Sequence, residues 1–197
     1  MTVLGTREFR PSHSGTIAFT RNYLKVVAAI LIRRCVGNER MLFDRIDRRI
    51  LALLQNDGRM TNVELAERVG LTAPPCLRRV RSLEQAGAIR GYHAECDAAL
   101  LGFPITVFAM VSLRSQAEHD LTAFEEHVAG IDEVRECHML NGEIDFILKI
   151  VAPDLESFQR ILTTHLTAAP NVASVKSSLT IRTAKSSPGV PIVVEPE

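Results

Sequence analysis

Apolar positions recur every three to four residues over the first well-patterned stretch of this chain, and every second residue later on. Ile46, Ile50, Leu53 and Leu54 stand at i, i+4, i+7 and i+8, with Asp44 placed to cap and Gly58 to stop a first helix. Thr61 and Glu64 form a T-x-x-E capping box ahead of Leu65, Ala66 and Val69, and Gly70 sits where a left-handed cap residue is wanted. Thr72 then reads as a second N-cap, with Pro74 and Pro75 in the first turn, where backbone amides lack partners anyway. Cys76, Val80 and Leu83 point inward from that third helix, which Gly87 ends. The short Gly70-Leu71-Thr72 connection between two capped helices predicts a helix-turn-helix, and Ile89 to Glu95 reads as a strand leaving it for a wing.

From Pro104 the period falls to two. Ile105, Val107, Ala109, Val111 and Leu113 alternate with Thr106, Phe108, Met110 and Ser112, a strand whose faces are both largely apolar. A helix follows from about His119 to Ala129, then a strand from Val134 to Leu140, a turn at Asn141-Gly142-Glu143, and a strand through Ile144, Phe146, Leu148 and Ile150. Asp154 caps a helix striped by Leu155, Phe158, Ile161, Leu162, His165 and Leu166, which Pro170-Asn171 breaks. A last strand spans Val172 to Thr183. The order βαββαβ predicts a ferredoxin-like unit, so the fold class is α+β: a winged helix-turn-helix domain followed by one antiparallel sheet with two helices on one face. The other face would carry Phe108, Met110, Ile147 and Val151, which predicts burial against a second subunit.

Five segments are expected: an N-terminal extension (1–40), the helix-turn-helix domain (41–95), a hinge (96–103), the ferredoxin-like domain (104–185) and a Pro-rich tail (186–197). The extension is either a basic arm or untranslated sequence ahead of a start at Met41. The tail is either disordered or docks Val190 to Val194 on a neighbour.

Charge sharpens this division. The formal net charge of the 197 residues is zero, yet residues 41–95 hold nine Arg against seven acids, whereas residues 96–185 hold seven basic residues against twelve acids. An acidic module is repelled by phosphates and should sit away from a duplex. The third helix presents Arg78, Arg79 and Arg81 with no acid until Glu84. Arg78, Arg81, Ser82 and Gln85 share its non-core face, suited to the DNA major groove. Arg78 is the candidate for a guanine edge, which arginine meets bidentately, while Arg79, Arg81, Thr72 and Asn62 would hold phosphates and Ser82 lies beside them.

Other chemistry finds little support. The cysteines (Cys35, Cys76, Cys96, Cys137) form no C-x-x-C, and no histidine stands at zinc-finger spacing, so a reducing cytosol, on the nucleoid, is expected, with no metal. Cys137 and His138 read as strand neighbours facing opposite ways. The run Val26 to Ile32 is too short to span a bilayer, and Arg33-Arg34 follows it without a cleavage site. Paired carboxylates, a nucleophile elbow and a phosphate loop are missing, so no enzyme is expected. The rivals are a dimeric ferredoxin-like enzyme and a ligand sensor whose helical domain binds protein.

From Asp44 to Lys185 the chain resembles the Lrp/AsnC family of leucine-responsive, or feast/famine, transcription regulators. The stretches Asp44–Arg59, Asn62–Arg81, Ala86–Ala94 and Glu136–Lys149 (E-C-H-M-L-N-G-E-I-D-F-I-L-K) carry the resemblance. It implies a sequence-specific regulator of double-stranded DNA, a homodimer assembling to a tetramer or octamer, and a small amino-acid-like effector held between dimers, with no cofactor. The family's loop pattern, roughly [ST]-G-D-x-D, falls on Asn141, Gly142, Glu143 and Asp145. There Gly142 would let the backbone approach the effector and Asp145 would accept from its ammonium group. Asn141 and Glu143 depart from the pattern, as does Pro74, where Ser or Thr is commoner.

Overall fold

The computed structural model describes residues 43–194. The expected N-terminal extension, a start at Met41 and the apolar run Val26 to Ile32 lie outside them. Three helices open the fold: α1 (Arg45–Asn56), α2 (Asn62–Val69) and α3 (Ala73–Gln85). They close on Ile50, Leu65, Ala66, Val69, Cys76 and Leu83, all buried. Capping boxes start α1 (Asp44 with Asp47) and α2 (Thr61 with Glu64). Gly70 ends α2 at φ 73°, the left-handed conformation that glycine adopts without strain. Gly58 does not end α1. Asp57 does, its amide donating to the Leu53 carbonyl.

The expected strand from Ile89 to Glu95 is absent. The chain from Arg90 to Asp97 pairs with no strand among the described residues. A strand exists only as one side of a ladder, and this segment has no second side among the described residues.

The second domain is built of β1 (Ile105–Leu113), α4 (Glu118–Ala129), β2 (Val134–Met139), β3 (Phe146–Ala152), α5 (Leu155–Ile161) and β4 (Val172–Leu179). The strands form one antiparallel sheet in the order β2-β3-β1-β4. Val107, Ala109, Val111, Phe146, Leu148 and Ile150 pack under the helices with Leu121, Phe124, Val128 and Phe158. The last helix is shorter than its apolar stripe predicts. It ends at Ile161 and gives way to one π turn, Leu162–Leu166. The Thr167 amide reaches back to the Leu162 carbonyl at 2.8 Å, and the Thr163 and Thr167 hydroxyls bond to carbonyls of the preceding turn, competing with the α ladder. β4 stops at Leu179: the last bond to β1 is from the Thr180 amide to the Thr106 carbonyl, and Ile181 stands in solvent. On the sheet face away from the helices, Phe108 is 38% exposed, and Met110, Ile147 and Val151 are half-buried. No helix among the described residues is long and apolar enough to cross a membrane.

Candidate DNA interface and effector loop

The α3 surface divides its arginines by what α1 offers them. Arg78 and Arg81 are exposed and form no ion pair among the described residues. Arg79 leans the other way. Its Nη1 donates to Asp44 Oδ2 at 2.6 Å and to Asp47 Oδ1 at 2.7 Å. Both acids already serve the capping box of α1, so one cluster starts α1 and anchors α3. Burial alone would raise the Asp44 carboxyl. The Asp47 amide and the Arg79 guanidinium outweigh it and hold that carboxyl below its ordinary value. Asp47 first and Asp44 second push the Arg79 guanidinium up, so it stays charged.

Asn62 is likewise turned inward. Its Nδ2 donates to the Ala73 carbonyl at 2.8 Å, tying the start of α2 to the start of α3, while its Oδ1 is buried without a partner among the described residues. Thr72 holds the N-cap position of α3, but its hydroxyl makes no cap bond. The reason is in the sequence. An N-cap oxygen accepts from the second or third amide of the helix, and here those residues are Pro74 and Pro75, which have none. The exposed hydroxyl is left facing solvent, and Ser82 is exposed at the far end of α3.

In the second domain the β2–β3 loop leaves Asn141, Gly142 and Glu143 exposed and swings Asp145 inward, where it is 6% exposed. One carboxylate oxygen accepts from the Leu113 amide at 2.7 Å and the other from Gln116 Nε2 at 2.7 Å. Its own amide donates to the Val111 carbonyl, and its carbonyl accepts from the Leu140 amide. Asn171 continues this cluster. It adopts φ 67°, donates to the Ser115 carbonyl and accepts from the Arg114 amide. Three loops thus meet at the end of β1, held by Asp145, Gln116 and Asn171. Along the sequence Asp145 is marked by the loop pattern and Gln116 by nothing, while Asn171 reads only as a helix breaker. Asparagine's tolerance of left-handed backbone was the one local signal available.

Cys137 and His138 do face opposite ways: Cys137 pairs with Leu148 of the core face, His138 with Ile147 of the outer face. His138 and Lys149 share Glu136. Desolvation, and secondarily Glu125, push the Cys137 thiol up to about 11, so it stays protonated at neutral pH. No group of residues that could hold a metal occurs among the described residues.

Residues 43–90 match a winged helix-turn-helix DNA-binding domain, and residues 106–190 match the Lrp/AsnC ligand binding domain. The leucine-responsive regulatory protein of Rhizobium meliloti is 53% identical over 146 residues, 74% of this chain and 94% of that protein. The chain belongs to the Lrp/AsnC family. It is a DNA-binding transcriptional regulator with a ligand-binding second domain, in the α+β arrangement expected from the pattern. The Bkd operon transcriptional regulator of Pseudomonas aeruginosa is 41% identical over 71% of this chain and 91% of its own length. A Neisseria meningitidis transcriptional regulator, solved as an L-Met complex, superposes with a TM-score of 0.72 at 35% identity, covering 75% of this chain and 96% of that one.

Proposed function

We propose that this Lrp/AsnC regulator reads DNA through Arg78, Arg81, Thr72 and Ser82, with Arg79 and Asn62 positioning α3 rather than touching the duplex. The observation that carries this reading is the division of the arginines. Arg79 is held by two carboxylates at the start of α1, whereas Arg78 and Arg81 extend from the exposed face of the same helix with no acid partner among the described residues. Arg78 meets a base edge, and Arg81, Ser82 and the spare Thr72 hydroxyl meet phosphates. The test replaces Arg78 with Ala and measures binding to a specific and a random duplex. A loss confined to the specific duplex, about 1–3 kcal/mol, is expected. An equal loss on both makes Arg78 a phosphate contact.

The effector is an amino acid, the class to which the L-Met of the Neisseria regulator belongs. Its ammonium group finds an anion at Asp145, whose two donors are neutral and leave each oxygen a further lone pair. Gly142 gives the exposed loop a backbone with nothing within 4 Å of its absent Cβ. Asn141 and Glu143 flank it and set which side chains fit. Calorimetric titration with L-Met and L-Leu tests this reading, and no heat with either removes it.

The regulator works as a homodimer or a higher assembly of dimers. The half-exposed Phe108 face, the unpaired Arg90–Asp97 segment and the exposed Leu100 and Leu101 beside it supply the surface. A two-fold pair of recognition helices then meets half-sites about one helical turn, roughly 34 Å, apart.

A further inference from the structure

The C-terminal tail runs back to the DNA-binding domain and is gripped there by one side chain. Gln55, in the last turn of α1, presents both ends of its carboxamide to Val190. Its Nε2 donates to the Val190 carbonyl at 2.8 Å, and its Oε1 accepts from the Val190 amide at 3.0 Å. These two bonds close a ring of the kind two paired strand residues make, with a side chain standing in for one backbone. Such a contact reads the tail's main chain and depends on how near that chain can come. Gly189 sets the distance. It sits at φ 61°, and a Cβ there would lie 2.1 Å from Gln55 Oε1 and 2.3 Å from Cδ. Glycine alone allows both the backbone angle and the approach. Pro191 holds Val190 extended, since the residue before proline is driven out of the helical region. Beyond it Ile192 and Val194 are half-buried while Pro191 and Val193 are exposed, so one edge of the tail lies against the protein.

From these contacts we infer that residues 189–194 form an intramolecular strap whose receptor is the Gln55 end of α1. The DNA-binding domain is then attached to the effector domain at two points, through the 86–104 linker and through the strap. α1 is the helix whose other end holds Arg79 of α3, so the strap bears on the recognition helix through one rigid rod. The tail is covalently tied to β4, so its local concentration near α1 is of millimolar order and a small contact suffices. Both bonds lie in exposed surroundings, where each is worth little net, which makes the strap reversible. Releasing it leaves the recognition helix on a single linker, free to take other orientations.

Hydrogen exchange on the full-length protein tests this, with the variants Gln55→Leu, which removes both bonds, and Gly189→Val, which blocks the approach. The second change lies on the tail and leaves the helical core intact. The peptide covering 186–194 is expected to exchange at least tenfold faster in each variant than in the wild type, with unchanged protection around Ile50. Trypsin cleavage after Arg90, in the linker, is expected to rise several-fold in both. Equal tail exchange in all three proteins overturns the strap. Faster tail exchange with unchanged linker cleavage overturns the coupling. Mixing Gln55→Leu chains with chains truncated after Pro188 separates cis from trans docking: a protected tail in that mixture assigns the receptor to a second copy and overturns the intramolecular form.

Discussion

The two domains each tie distant segments together with aspartate carboxylates, but they answer the charge differently. In the helix-turn-helix domain Asp44 and Asp47, at the start of α1, receive Arg79, a full cation, so these two acids beside the recognition helix are neutralised. In the effector domain Asp145 receives only an amide N–H and the carboxamide of Gln116. Its geometry is satisfied and its charge is not compensated by either donor. A cluster already closed on itself is a brace. A cluster satisfied in hydrogen bonds yet answered by no cation among the described residues leaves, on the proposed reading, a place for an incoming ammonium. On the reading proposed above, the same residue type serves scaffold in one half and ligand chemistry in the other, decided by the partner's charge.

Removing Asp145 is the largest way to break this contrast. Asp145→Ala strips the buried Leu113 amide of its acceptor and releases Gln116, and bonds to a charged acceptor are worth about 1.5–3 kcal/mol each. A loss of about 3 kcal/mol in urea unfolding of the effector domain is expected, together with loss of the calorimetric response to L-Met. Asp145→Asn keeps the shape and discards the charge. If Asn binds the amino acid as tightly as Asp does, the uncompensated charge is irrelevant and the contrast between the domains falls.

The next effect compares neighbouring arginines. Arg78→Ala and Arg81→Ala should leave unfolding within about 0.5 kcal/mol of wild type, as exposed substitutions do. Arg81→Ala should weaken every duplex alike and lower the salt slope of binding by about 0.9. Arg79→Ala should instead cost about 1 kcal/mol of stability, because it leaves two carboxylates facing each other across the cap of α1. Acid supplies the sign. Asp44 titrates below its ordinary value in the folded protein, so the brace contributes above the unfolded value of about 3.9 and is lost as pH falls through the depressed folded one. The stability gap between wild type and Arg79→Ala, measured by thermal melts, should therefore narrow from pH 6 to pH 3. A gap that is the same at both pH values assigns the loss to packing alone.

Much of this fold was legible along the chain because helix periods, capping boxes and strand alternation are local. Ile46 to Leu54, the Thr61–Glu64 box and the alternation from Ile105 to Leu113 each lie within a dozen residues. What sequence reading missed is long-range. Arg79 meets Asp44 across 35 positions, Gln116 meets Asp145 across 29 and Gln55 meets Val190 across 135. No spacing along a single chain announces such pairs. The linker strand failed for a related reason, since extended residues become a strand only when another backbone lies beside them. The Leu162–Leu166 turn failed because the apolar stripe fits α and π backbones alike, and the threonine hydroxyls decided between them.

The smallest effect expected is also the sharpest on one side of the comparison. Replacing an N-cap threonine ordinarily costs about 0.5–2 kcal/mol of stability, because an amide of the first turn loses its acceptor. Thr72 has no such amide to serve, with Pro74 and Pro75 in the positions that would donate. Thr72→Val should thus unfold at the wild-type urea midpoint while binding all duplexes slightly more weakly, by a few tenths to about 1 kcal/mol, the scale of one hydrogen bond. A stability loss of ordinary cap size means that the hydroxyl serves the helix after all, and an unchanged affinity means that no phosphate reaches it.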